Sequence, residues 1–189
     1  MATKEDLRIK KTKAALFNAF FEMLENMTFE EITVNALCEK ADVRRATFYK
    51  HYSDKLDFLT SVTRILRNHF DSLRWNSDAK HSEADYYVAY AKRIVGFVNE
   101  HEKVIDNLMR SDLLPTIVHI ITSENCQNTV ERLKKSQEIG MRLKASPEVV
   151  ATMCSGGVAQ IILSWISGGR KKDPNILAEE IGILVSALI

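Results

Sequence analysis

Residues 32–59 read ITVNALCEKADVRRATFYKHYSDKLDFL, and their apolar spacing decides the fold. Thr33 stands before a short apolar-periodic piece, Val34 to Lys40, and its hydroxyl suits the free N–H groups of a helix start. Ala41, Asp42 and Val43 interrupt the period for one turn. Arg44 to His51 then resumes it, with Phe48 and Tyr52 four residues apart. The pattern predicts two short helices around a tight turn, packed through Leu37, Ala41, Val43, Phe48 and Tyr52, with Ala41 small where the helices cross.

What remains outside is basic and polar. Arg44, Arg45, Thr47 and Lys50 face away from Phe48 and offer guanidinium forks for guanine edges, a hydroxyl and methyl for thymine or phosphate, and an ammonium, on a short helix that fits a major groove. Tyr49, His51 and Lys55 all donate hydrogen bonds of the kind that phosphate oxygens accept, and Thr33 adds another at the second helix's start. By spacing alone, the same charges also fit the solvated face of an ordinary helical bundle.

Working outward, Ile9, Leu16, Phe20, Met23 and Leu24 mark a first helical face whose early turns are basic. Asp54 is a natural N-cap for a long helix striped by Leu56, Leu59, Val62, Leu66, Phe70 and Leu73, ending near Trp75. Asn76 to Ser82 reads as a loop. Helices then follow from Tyr87 to His101, from Glu102 to Arg110 and from Pro115 to about Ile139. Ser146-Pro147 and Asp173-Pro174 are cap-plus-proline starts for the last two, with Gly168-Gly169 between them. No stretch alternates with period two long enough for a strand, so the expected fold is all-α.

The 189 residues hold 26 Lys and Arg against 25 Asp and Glu, with 46% hydrophobic residues and 3 Pro. That composition excludes a disordered chain, and the net charge of +1 says nothing of partners until the basic residues are placed. Cys38, Cys126 and Cys154 have no CxxC or His spacing that would hold a metal, and they read as reduced thiols. The first residues lack an apolar run typical of a secretory signal, which points to the cytoplasm. Val149 to Gly169 carries no charge and reaches membrane-span length. Its Thr, Ser, Gln and Gly content favours a helix buried on most sides in a soluble assembly over a membrane span.

The run T-x-x-x-L-C-x-x-A-D-V-x-x-A-T-F-Y-x-H-Y-x-x-K, Thr33 to Lys55, resembles the signature of TetR-family transcriptional regulators. The part of the chain with Gly157, Trp165 and Gly169 before Pro174 resembles regulators of dihydroxyacetone kinase operons. The resemblance implies a helix-turn-helix DNA-binding domain at residues 1–52 and a helical ligand-binding and dimerisation domain at 53–189. It places Arg44, Arg45, Thr47 and Lys50 on the recognition helix and Tyr49, His51 and Lys55 on phosphates. Asp42 stands where the family usually has a turn glycine, and Arg44 where a small capping serine is common.

In the second domain, Tyr86, Tyr87, Tyr90, Phe97, Met109, His119, Met153, Gln160 and Trp165 are candidates to line a cavity for a small apolar or aromatic ligand. Aromatic stripes at helical spacing also fit plain core. The uncharged helix and the last one have more apolar surface than a monomer hides. They are expected to pair with their copies in a homodimer through Gly156, Gly157, Ile162, Trp165, Ile181 and Leu184. No catalytic constellation, cofactor motif or metal set is read. The expected function is a repressor released from a palindromic operator by a small effector. A same-fold activator or a regulator controlled by a protein partner is the alternative. A helical ligand-binding protein with a lapsed DNA head is more remote, and Asp42 is its support.

Overall fold

A computed structural model describes residues 4–72 and 83–189, with side chains described at 7–70 and 88–189. Within them the chain forms α1 (Lys4–Leu24), α2 (Val34–Lys40), α3 (Arg45–Tyr49), α4 (Lys55–Ser72), α5 (Glu83–Glu100), α6 (Glu102–Met109), α7 (Leu114–Glu138), α8 (Pro147–Ser167) and α9 (Pro174–Leu188). There is no strand among the described residues. The caps expected from sequence set the boundaries. Thr33 Oγ1 accepts from Ala36 N at 3.1 Å, and Asp54 Oδ1 accepts from Leu56 N and Asp57 N at 2.8 Å each. Asp173 Oδ1 accepts from Asn175 N at 2.8 Å. Trp75 and the loop expected over Asn76–Ser82 lie outside the described residues.

The chain divides into two compact units, one holding residues up to Val62 with His101–Ile117, the other Thr63–Glu100 with Val118–Ile189. The first is thus larger than the 1–52 segment assigned to DNA binding. The start of α4 adds Phe58 to its core, and α6 packs on α1, where Asn107 Nδ2 donates to Leu24 O at 2.8 Å. That core is aromatic. Phe20, Phe29, Phe48 and Phe58 are all fully buried with Leu16, Leu24, Ile32 and Leu37. Ring contacts join Phe20 to Phe58 at 5.3 Å, Phe48 to Phe58 at 5.8 Å and Tyr52 to Phe58 at 5.1 Å. Phe48, Tyr52 and Leu37 are buried as their spacing predicts, whereas Ala41 and Val43 are half-buried.

In the second unit α9 lies against α5, and Gly182 is the reason it can. A Cβ there would fall on backbone, within 2.7 Å of Val88 N and closer still to its Cα. Gly182→Ala therefore forces the two helices apart and is expected to cost about 1–3 kcal/mol. Urea unfolding measures it, and a midpoint unchanged from the parent chain contradicts the close crossing. Leu133, Val150, Ala151 and Cys154 form a buried cluster where α7 meets α8, with Val185 and Leu188 of α9 packed on it.

Candidate nucleic-acid interface and effector cavity

The turn between α2 and α3 requires a left-handed residue, and Asp42 supplies it with φ 52°. Asp and Asn enter this region at less cost than most side chains because their short polar groups bond locally. The substitution of a turn glycine thus leaves the turn intact. Arg44 caps α3 with an extended backbone and makes no side-chain cap bond, so its guanidinium is left to project outward. Arg44, Arg45, Tyr49 and Lys50 are exposed, while Thr47 and His51 are half-buried. Thr33 is exposed with its oxygen engaged in capping.

Arg45 and Tyr49 share one side of α3. The guanidinium carbon sits 5.9 Å from the Tyr49 ring centroid, and that ring is braced edge-on against Phe48 at 5.4 Å. Stacking narrows the range of an otherwise flexible arginine. Ala46 is exposed beside them. A methyl on the reading face matches a thymine methyl, but an alanine has no donor by which sequence reasoning finds it.

Lys55 departs from its expected place on phosphates. Its ammonium turns inward and donates to Phe29 O at 2.6 Å, Ile32 O at 2.7 Å and Glu30 O at 3.3 Å. It also lies 4.3 Å from the Phe29 ring centroid. Burial lowers its pKa from the ordinary lysine value, with the Glu30 charge acting in the opposite direction. All three of its protons are spent on the loop that leads into α2, which makes it a structural pin.

Glu30, in the same loop, grips the approach to α7. Its carboxylate accepts from Ser111 Oγ, and from Leu113 N at 2.9 Å. Desolvation pushes its pKa up, but the bonds from Ser111 and Leu113 outweigh it and bring the group from 4.5 down to about 2. The folded value lies below the unfolded one. The charge therefore stabilises the fold above about pH 4.5, and that contribution is lost as pH falls towards 2. Glu30→Gln should unfold at lower urea than the parent chain at pH 7, with the gap closing between pH 4.5 and pH 2. A gap that is constant with pH contradicts the assignment.

The second unit holds a partly open cavity of about 150 Å³. One wall is a polar face of α7, comprising Thr122, Asn125, Asn128, Thr129 and Arg132. The others are mainly apolar, including Ile94 of α5, Val158 and Ile162 of α8, and Ile181 and Val185 of α9, with Tyr90 of α5 and Ser155 of α8 as their polar groups. Next to Asn125 in sequence, Glu124 accepts a two-pronged bond from Arg64 of α4, Nε to Oε2 and Nη2 to Oε1 at 2.8 Å each. Arg67 Nη1 donates to Glu124 O at 3.2 Å. The cavity wall is thereby fastened to α4.

Of the expected cavity residues, Tyr90 lines it. Phe97 instead packs on Phe70, ring centroids 5.5 Å apart. His119, Met153 and Gln160 are exposed, and Gln160 donates to Ser164 Oγ at 3.2 Å. Met109 belongs to the first unit. The side chains of Tyr86 and Tyr87 lie outside the described residues. The expected dimer residues also divide. Trp165 is buried within the protomer, its Nε1 donating to Lys172 O at 2.9 Å, and Ile162 and Ile181 line the cavity. Gly156, Gly157 and Leu184 are exposed, with nothing in the protomer within 4 Å of a Cβ placed on either glycine.

Among the exposed residues of α8, Val149, Thr152, Met153, Gly156, Gly157, Gln160 and Ser164 recur every three or four positions and so form one stripe, with Glu148 and Ser167 exposed at the helix ends. On α9 a matching stripe carries Ile176, Ile183 and Leu184, each more than half exposed. The α8 helix is long and apolar enough to cross a membrane. Its outward side, however, bears Thr152, Gln160 and Ser164, and 28% of its most apolar stretch is buried within the protomer.

A helix-turn-helix with a cationic outer face, on a chain whose other unit is all-helical and holds a pocket, is the architecture of a helix-turn-helix transcriptional regulator. The chain belongs to the TetR family: the family profile described as "Transcriptional regulator C-terminal region" matches residues 89–187, just over half of the sequence. A relative from Bacillus subtilis (strain 168), the uncharacterised HTH-type transcriptional regulator YxbF, is 25% identical over 183 residues. That match takes in 93% of this chain and 44% of the relative, so the chain spans less than half that protein's length. Among solved structures, the Bacillus subtilis transcriptional regulator FadR in complex with stearoyl-CoA superposes with a TM-score of 0.64 at 14% identity, covering 93% of this chain and 98% of its own. The dihydroxyacetone kinase operon activator DhaS gives a TM-score of 0.58 at 17% identity, covering 93% and 94%. At those identities both show a shared fold.

Proposed function

We propose that the protein is a one-component repressor that holds a palindromic operator as a homodimer in the cytoplasm and releases it when a small molecule fills the cavity of the second unit. The observation that carries this reading is the outer face of α3. Arg44, Arg45 and Lys50 stand exposed there on a turn whose left-handed residue is in place. Arg44, Arg45 and Thr47 act on bases, with Ala46 between them. Tyr49, His51, Lys50 and Thr33 act on the backbone, and Tyr49 also steadies Arg45.

The exposed stripes of α8 and α9 are the homodimer interface, in which Gly156 and Gly157 let the helices of two copies approach. A two-fold dimer of this kind presents its recognition helices about 34–36 Å apart, one turn of DNA, and so requires inverted half-sites. The Arg64–Glu124 bond supports the coupling. A ligand that displaces α7 draws on α4, the helix that starts directly after the helix-turn-helix. If the effector favours the misplaced arrangement by about 1.4 kcal/mol, operator affinity falls about tenfold.

Selection from random duplexes by the purified chain tests the reading and yields the operator. With that duplex, Arg45→Ala is expected to lose about 1–3 kcal/mol and relax preference at one base pair, leaving affinity for random DNA close to the parent's. Equal losses on specific and random DNA contradict the base-reading role.

A further inference from the structure

We propose that the cavity of the second unit takes a small monocarboxylic acid with a compact apolar body. This inference rests on reading that cavity as the effector site. The lining is divided by chemistry. Arg132 carries the only charged side chain among the described residues that line it, and Asn125, Asn128 and Thr129 stand with it on α7. Opposite them are Ile94, Val158, Ile162 and Val185. An arginine on the same helix face as two side-chain amides fits a planar anion. Its fork meets both oxygens of a carboxylate, and the amide N–H groups meet the remaining lone pairs. A ligand cation would meet the like charge of Arg132. A wholly apolar ligand would bury those polar groups without replacing their hydration.

Arg132 already has a partner within the protein. Its guanidinium carries five donors, so a ligand carboxylate shares the group or takes it over. Size narrows the class further. An engineered cavity of about 150 Å³ in another protein accepts a benzene ring, and the volume here is about 150 Å³. A single aromatic ring or a short branched chain therefore fits it.

The test is calorimetric titration of the full-length chain with benzoate, phenylacetate and 3-methylbutanoate, each beside its neutral amide and its amine. At least one carboxylate is expected to bind about tenfold or more tightly than its own amide, and the amines more weakly still. Arg132→Gln should abolish the preference for the acid while leaving affinity for the amide unchanged, which also shows that the variant is folded. Val158→Phe, which fills the cavity from its apolar side, should abolish binding of acid and amide alike. If no acid binds better than its amide, including the case in which none of them binds, the proposal is overturned. Anisotropy of the selected duplex separates this inference from the reading it rests on. An acid that binds through Arg132 and leaves the DNA complex intact supports the ligand class and overturns effector control. An amide or amine that binds best and releases the DNA does the reverse.

Discussion

Lys55→Ala is expected to lower the stability of the chain by about 2–4 kcal/mol, because it strands carbonyls that the ammonium now satisfies. The loop of residues 29–32 has Lys55 as donor to three of its oxygens. Water filling the space left behind restores part of that loss, which keeps the figure below the full cost of three orphaned groups. For a chain of this length the melting temperature should drop by roughly 5–15 °C. Lys55→Met keeps the aliphatic stem against the Phe29 ring but cannot donate, so it should recover only part of the loss. Had Lys55 been a phosphate contact, the variant would melt like the parent, bind every duplex more weakly and lose about one unit of salt dependence. Thermal melts of both variants and a salt series on DNA distinguish the two roles.

Leu184→Glu is expected to produce monomers. Leu184 is 58% exposed in the protomer, beside Ile183 at 58%, and both lie on the stripe assigned to the interface. Two copies of a glutamate brought together near a two-fold axis repel each other in a setting that excludes water, which costs several kcal/mol. Dimer affinity should fall by about a thousandfold or more. Tight operator binding should be lost with it, although α3 is untouched. Sedimentation of the parent and the variant measures the change. A variant that remains dimeric places the interface elsewhere.

Helix starts were legible in the sequence because they are local. Thr33, Asp54, Ser146 and Asp173 each bond an N–H two or three residues ahead, and such bonds leave a spacing that can be read directly. The exposed side of α3 is legible for a similar reason, since Phe48 and Tyr52 fix the inward side of a short helix and leave Arg44, Arg45 and Lys50 outside. The pinning of Lys55 was not. Its partners lie 23 to 26 positions earlier and are backbone oxygens, so nothing in the side chains marks them.

The inner and outer sides of α8 were equally hidden. A helix apolar all round has no period to show which stripe meets α9 and the cavity, so the sequence places Ile162 and Trp165 outward, whereas Ile162 lines the cavity and Trp165 is buried. The same blindness worked in reverse on α7. Asn125, Asn128 and Arg132 have the character of a solvated face and instead line the cavity, because α5, α8 and α9 close over that side. Nothing in the sequence marks Gly182, because the need for a missing Cβ arises only when Val88 is brought against it.

The central claim is that two copies of α3 read two inverted half-sites. It is tested most directly by anisotropy titration of the parent chain, at fixed salt, against the selected palindrome and against a duplex of equal length and composition with one half-site scrambled. The account predicts that the intact palindrome binds at least about a hundredfold more tightly, a difference of about 2.7 kcal/mol, with two protomers per duplex. Equal affinity for the two duplexes, or saturation of the palindrome by a single protomer, would contradict it.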